Sequence, residues 1–300
     1  MINKLVVILG PNAAGKSSLA VKLAKKFDGE IVSADSRQIY EGLDIGSGKI
    51  KKKDMQGIPH YLLDVADPKN SFTVAEYKDL ALKRIKEIQK RDKLPFLVGG
   101  TGFYIQAIVD GIVFPRVEPD WELREKLEKI DKEQLFKKLK DLDPRRAQNI
   151  DKNNKRRLIR ALEINIKTGK PVPPLSKDQP DFDVLEIGIK SDKEEFKERI
   201  EERLYKRLKQ GMIEEVEKLH KNGLSYKRLE ELGLEYEYIA KYLQEKLEKE
   251  EMIKKLQKEI EHFAKRQMTW FKKDDRIHWL NKKREQQSTA LIEDFLKKEG

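Results

Sequence analysis

Apolar and polar positions divide the chain into buried strands alternating with amphipathic helices. Leu5 to Leu9 is an unbroken apolar run that stops at Gly10, the pattern of a strand covered on both faces in a parallel sheet. Ser17 to Phe27 follows with Leu19, Ala20, Leu23, Ala24 and Phe27 at helical spacing. Glu30 to Ala34 predicts a second strand, ending at Asp35, and Leu94 to Val98 a third, ending in Gly99-Gly100-Thr101-Gly102. Between them Ser71 to Arg91 has helical periodicity, with Ser71 or Thr73 as N-cap. This alternation predicts an α/β domain with a mostly parallel sheet.

The texture changes after Pro115. Asp120 to Leu142 and Lys155 to Thr168 are helical and highly charged, Gly169 to Pro180 carries four prolines, and no strand pattern occurs before Val184 to Ile189. A core of residues 1–114 and 183–300 with a helical insertion at 115–182 is therefore expected. Asp192 to Asn222 reads as one long amphipathic helix, with Phe196, Ile200, Leu204 and Leu208 in a four-residue row. A helix from Lys249 to Phe271 precedes a short strand at Arg276 to Leu280.

Composition narrows the class. Among 300 residues, 64 Lys and Arg face 53 Asp and Glu, a net charge of +11 that suits a phosphate-rich partner. Lys and Glu interleaved on helices also read as solvated faces. With no cysteine, disulfides and thiolate metal sites are excluded, and the four histidines show no ligand spacing. The opening apolar run is too short for a signal peptide or a membrane span, so a cytoplasmic protein is expected.

The chemistry begins at Gly10-Pro11-Asn12-Ala13-Ala14-Gly15-Lys16-Ser17, which satisfies G-x-x-x-x-G-K-[ST] between a predicted strand and a predicted helix. Such a loop turns successive N–H groups towards an anion, Lys16 reaches outer phosphate oxygens, and Ser17 can ligand Mg²⁺. The later apolar strand ends in glycines rather than in the acid that organises a hydrolytic water, which weighs against ordinary nucleotide hydrolysis. The acidic candidate is Asp35, at the strand end where ligands approach open α/β sheets. It can hold Mg²⁺, accept a proton, or cap a turn through Ser36.

Arg199, Arg203 and Arg207 form a second row beside the apolar row of the long helix, able to reach a phosphate or to snorkel beside Glu198, Glu201 and Glu202. Lys152, Lys155, Arg156, Arg157 and Arg160 have the density of a nucleic-acid contact or of a solvated basic face. Lys265 to Lys273 interleaves basic and aromatic groups that can stack bases; Trp270 and Phe271 are expected in the core.

Seven segments in one order resemble the tRNA dimethylallyltransferase family: the P-loop; Ser33 to Tyr40; Asp44 to Lys49; Pro59 to Asp64; Gly99 to Tyr104; Arg157 to Glu163; and Lys265 to Phe271. The resemblance covers nearly the whole chain and implies a P-loop NTPase-like fold. It further implies dimethylallyl diphosphate as donor, Mg²⁺ as cofactor, and as acceptor the adenosine next to the anticodon on its 3′ side. Asp35 would be the general base, with Thr101 and Arg203 at the diphosphate and reaction channel. tRNA contacts would fall on Asp35, Ser36, Arg37, Gln38, Thr101, Arg156, Arg157, Leu158, Ile159 and Arg160, and the insertion would clamp the anticodon stem-loop. A monomer without a membrane partner is expected. Two departures stand out: Gly46-Ser47-Gly48-Lys49-Ile50 for the common Gly-Thr-Ala-Lys-Pro, and Gly233-Leu234-Glu235-Tyr236 where the family carries a Gly-Tyr pair.

Overall fold

A computed structural model of the chain describes residues 3–190, 193–281 and 283–298. The first elements are β1 (Lys4–Leu9), α1 (Lys16–Lys26), β2 (Gly29–Ala34), β3 (His60–Tyr61), α2 (Val74–Gln89), β4 (Leu94–Gly99) and α3 (Gly102–Val109). Then come β5 (Ile112–Val113), α4 (Trp121–Glu128), α5 (Lys132–Leu142), α6 (Pro144–Asn149), α7 (Lys155–Thr168) and β6 (Ser176–Lys177). The chain continues through β7 (Asp183–Ile189), α8 (Lys193–Lys209), α9 (Met212–Lys221), α10 (Tyr226–Leu232), α11 (Leu234–Leu243), α12 (Lys249–Phe271), β8 (His278–Leu280) and α13 (Arg284–Lys297). Two compact units result, one of Met1–Gly111 with Gln179–Gly300 and one of Ile112–Asp178.

The first unit is built on a six-stranded sheet in the order β3-β2-β4-β1-β7-β8, parallel throughout. The expected α/β class, with a mostly parallel sheet, is what forms. Strand alternation sorts β1 onto two faces: Leu5, Val7 and Leu9 join one core, Val6 and Ile8 the other. The first face is covered by α2, α3 and α8 to α12, the second by α1 and α13. Thr73 caps α2 in a full capping box with Glu76, which decides between the two cap candidates.

The second unit has its own core of Leu127, Leu135, Leu139, Leu158 and Leu162. Its Glu163 is buried and accepts from the Asp120 amide, from Arg124 at 2.7 and 2.8 Å, and from Arg160. Burial alone would raise the Glu163 pKa, but these donors outweigh it and hold the group below its ordinary value.

Three expectations need correction. The single helix at 192–222 is two, because Gly211 in the left-handed region ends α8 and turns the chain into α9; its expected start, Asp192, lies outside the described residues. The region 115–182 does contain a strand, since β6 pairs antiparallel with β5. Asp120 to Leu142 is likewise two helices, each started by its own cap, Asp120 and Asp131. The short elements β3, α3, α10 and α11, together with α13, had no sequence expectation. No described helix is long and apolar enough to cross a membrane.

Candidate active site

The P-loop joins β1 to α1 at the carboxyl edge of the sheet, beside β4 on one flank and β7 on the other. Gly15 at φ 87° starts α1 without a side-chain cap, and Ala13 also takes a positive φ, 66°. The amides of Ala13, Gly15, Lys16 and Ser17 donate to no described residue, so they are available to an anion at the helix N-terminus. Lys16 folds back on its own loop and donates to the Pro11 carbonyl at 2.8 Å.

Burial pushes the Lys16 pKa down to about 8, with nearby Asp35 opposing the shift and Arg203 adding to it. Between that value and the ordinary 10.5 the unfolded chain holds more protons, so the ligand-free protein gains stability as pH rises through this window. An anion binds the protonated lysine. Inorganic diphosphate affinity is therefore expected to be full below about pH 8 and to fall above it by up to about tenfold per pH unit. Calorimetric titration across that range checks this; a flat profile would remove Lys16 from the anion site.

Asp35 follows β2 and lines a cavity of about 440 Å³ with Asn12, Arg37, Thr101 and Gln267. Its Oδ1 accepts the amides of Arg37 at 2.8 Å and Gln38 at 3.3 Å, so the turn-capping role is real, though made beyond Ser36. Oδ2 takes no hydrogen bond from any described residue, which leaves one oxygen for chemistry. Thr101 accepts the Ser36 amide on Oγ1 at 3.0 Å and donates its own amide to Ala34, tying the end of β4 to the end of β2. Its hydroxyl proton remains to be donated.

The arginine row divides into three roles. Arg199 pairs with Glu195 at 3.1 Å on the surface. Arg207 donates to the Gly46 carbonyl at 3.2 Å and to buried Glu235 at 2.8 Å. Arg203 makes no hydrogen bond with any described residue. Burial first, then neighbouring Arg207, brings its pKa down to about 10 against the opposing pull of Glu235 and Asp35, so at neutral pH it is a charged fork that pairs directly with no described acid. Both guanidinium groups lie against Gly48, where a Cβ would stand 2.0 Å from Arg207 and 3.1 Å from Arg203. A side chain at this position, which takes φ 63°, would require the two guanidinium groups to shift.

Several residues that hold this site had no assigned role in the sequence reading. Glu215 on α9 accepts the amides of Asp44, Ile45 and Gly46 and the Tyr236 hydroxyl, fixing the loop beneath the two arginines. Gln267 on α12 accepts the Asn12 amide at 3.0 Å and donates to the Gly100 carbonyl at 2.8 Å, latching the P-loop to the Thr101 loop. The only signal for Gln267 was its place in the Lys265 to Phe271 segment, and for Glu235 and Tyr236 their place at a departure from the family pattern. Glu215 had none. Phe271 is buried as expected, but Trp270 is 38% exposed and meets Phe103 edge-on, because α12 turns that side outward.

The insertion's basic segment starts α7. Leu158 and Ile159 are buried in the core of the second unit and present no side chain to a partner. Lys155 is tied to Glu128 and Arg160 to Glu163 and the Val117 carbonyl. Arg156 and Arg157 are exposed. Among the described residues no cluster of three His, Asp or Glu side chains is placed to hold a metal. The Ser17 hydroxyl is exposed and bonds to no described residue.

The family model described as IPP transferase matches residues 38–274. A tRNA dimethylallyltransferase from Acetivibrio thermocellus is 41% identical over 289 residues, covering 94% of this chain and 92% of that protein. One from Thermoanaerobacter sp. strain X514 is 43% identical over 289 residues, 93% and 92% of the two chains. Among solved structures, the full-length tRNA isopentenylpyrophosphate transferase of Bacillus halodurans superposes with a TM-score of 0.73 at 35% identity, over 98% of each chain. A eukaryotic dimethylallyltransferase solved acting on tRNA gives 0.84 at 27% identity, over 98% of this chain and 79% of that one.

Proposed function

The chain belongs to the IPP transferase family and is a tRNA-modifying prenyltransferase; from that premise we propose how its residues act. The donor is dimethylallyl diphosphate. The acceptor is the exocyclic N6 amine of the adenosine 3′-adjacent to the anticodon. The observation that carries this reading is an unengaged Asp35 oxygen in a cavity that Asn12 of the P-loop also lines, with Lys16 and Arg203 both close enough to Asp35 to feel its charge.

An adenine amine is a weak nucleophile because its lone pair is delocalised into the ring. As nitrogen bonds the allylic carbon, Asp35 Oδ2 takes the amine proton and the carbon–oxygen bond to diphosphate breaks. Charge grows on the departing diphosphate, where Lys16, the P-loop amides and Arg203 stabilise it. Thr101 Oγ1 orients the backbone next to Asp35 and keeps a proton to donate. The exposed Ser17 hydroxyl, which bonds to no described residue, would offer Mg²⁺ an oxygen ligand, the kind of donor this ion takes. When bound there it supplies further charge neutralisation on the leaving group. Burying the five-carbon tail contributes at most about 3–4 kcal/mol, so most donor affinity lies in the diphosphate.

The acceptor base must leave its stack to reach Asp35, and the basic surface of the second unit supplies phosphate contacts for the RNA. Arg157→Ala is expected to weaken tRNA binding, to lower the slope of log K against log salt by about 1, and to leave thermal stability unchanged. Arg160→Ala should instead cost about 1.5–3 kcal/mol of folding stability by removing a charged hydrogen bond from buried Glu163. Salt-dependent binding curves and thermal melts separate the two. Equal melts for both variants would show that the Glu163 pairing does not separate them.

Incubation with dimethylallyl diphosphate, Mg²⁺ and unmodified tRNA, followed by mass spectrometry of the nucleosides, tests the function. A dimethylallyl group on one adenosine is expected. Product formed only on free AMP would overturn the tRNA acceptor, and ADP released from ATP with an alcohol acceptor would point to a kinase.

A further inference from the structure

The P-loop amides can face an anion only if the loop's carbonyls are held the other way. One of them is held from the far end of the chain. Arg284, the first residue of α13, donates from Nη1 to the Ala14 carbonyl at 2.7 Å, from Nη2 to the Lys190 carbonyl at 2.7 Å, and from Nε to the Asn281 carbonyl at 2.6 Å. The Ala14–Gly15 peptide is trans, so its carbonyl and N–H point in opposite directions. With the carbonyl drawn to Arg284, the Gly15 N–H is turned away from it, and that amide is among those that donate to no described residue. Lys190 directly follows β7, so the same guanidinium joins the phosphate loop to the strand beside β1.

We propose that Arg284 is a positioning residue for prenyl transfer: it orients the Ala14–Gly15 peptide so that the P-loop is preorganised for diphosphate before the donor arrives. The guanidinium suits this task because its rigid planar fork fixes the directions and separation of the carbonyls it holds, whereas an ammonium's donors rotate on a flexible stem and fix neither. The helix that carries it is docked independently, through buried Ile292 and the Lys26–Glu293 pair at 3.2 Å. Preorganised donors stabilise a developing anion without reorganisation during the reaction, so loss of Arg284 weakens diphosphate binding and donor use together.

The inference rests on the reading of the P-loop as the diphosphate cradle. Binding of inorganic diphosphate to the unaltered protein tests that reading separately, since its absence would defeat the cradle itself. Given such binding, Arg284→Ala is expected to raise the dissociation constant for inorganic diphosphate and the KM for donor about tenfold, with tRNA affinity unchanged. Arg284→Lys keeps the charge and should show most of the same loss. Glu293→Ala, which weakens helix docking alone, should lower the melting temperature slightly and leave both constants in place. Diphosphate affinity within twofold of normal in the folded Ala or Lys variant would overturn the proposal. So would a rise in Glu293→Ala equal to that in the Arg284 variants, since Arg284 would then act only through helix docking.

Discussion

Asp35→Asn is expected to lower kcat by about 10²–10⁴-fold while donor and tRNA affinities stay within a few-fold of normal. The amide keeps an oxygen where Oδ1 accepts the Arg37 and Gln38 amides, so the turn survives and only proton acceptance is lost. Asp35→Ala is a poorer test, because it also removes the turn bonds at about 1 kcal/mol and confounds chemistry with loop disorder. Single-turnover prenylation at saturating donor and tRNA isolates the chemical step. An Asn variant turning over within tenfold of the unaltered protein would end the general-base assignment.

Arg203→Ala should cost about 10²–10³-fold in kcat/KM for the donor, the usual penalty for losing one preorganised donor to a developing anion. Its folding consequence runs the other way. Burial, and then neighbouring Arg207, lowers the Arg203 pKa by more than Glu235 and Asp35 restore, so removing it should leave the melting temperature unchanged or raised. Arg207→Ala is expected to melt early, because it strands buried Glu235 and frees the Gly46 loop. Paired melts and donor kinetics on the two variants distinguish them. Equal stability loss in both would refute the division between a catalytic and a supporting arginine.

Much of this site was legible because its signals are local. The P-loop is eight consecutive residues, β1 and β2 show in unbroken apolar runs, and Asp35 follows directly from the end of β2. The arginine row on α8 was visible as a row. Its sorting was not, since periodicity places three guanidiniums on one helix face without saying which acid or carbonyl each will meet. Glu235 lies 28 residues from Arg207 in sequence, and Gly46 lies 161 away. In the basic run of α7 the same limit applies: Arg157 and Arg160 read alike, yet one is exposed and the other is bound to Glu163. The helix break at Gly211 was missed because apolar spacing continues through it, whereas the turn there lets Glu215 reach the Asp44 to Gly46 amides.

Sequence alone determined the parallel α/β frame, the phosphate loop, the acid beside it and the family, because hydrophobic period, glycine placement and motif order are all read along the chain. Tertiary structure decided which candidates are free to act. Gln267 meets Asn12 across 255 residues, and Arg284 meets Ala14 across 270. A hydrogen bond forms only when donor and acceptor come within about 3 Å of one another, and that coincidence is set by how the elements pack rather than by their order.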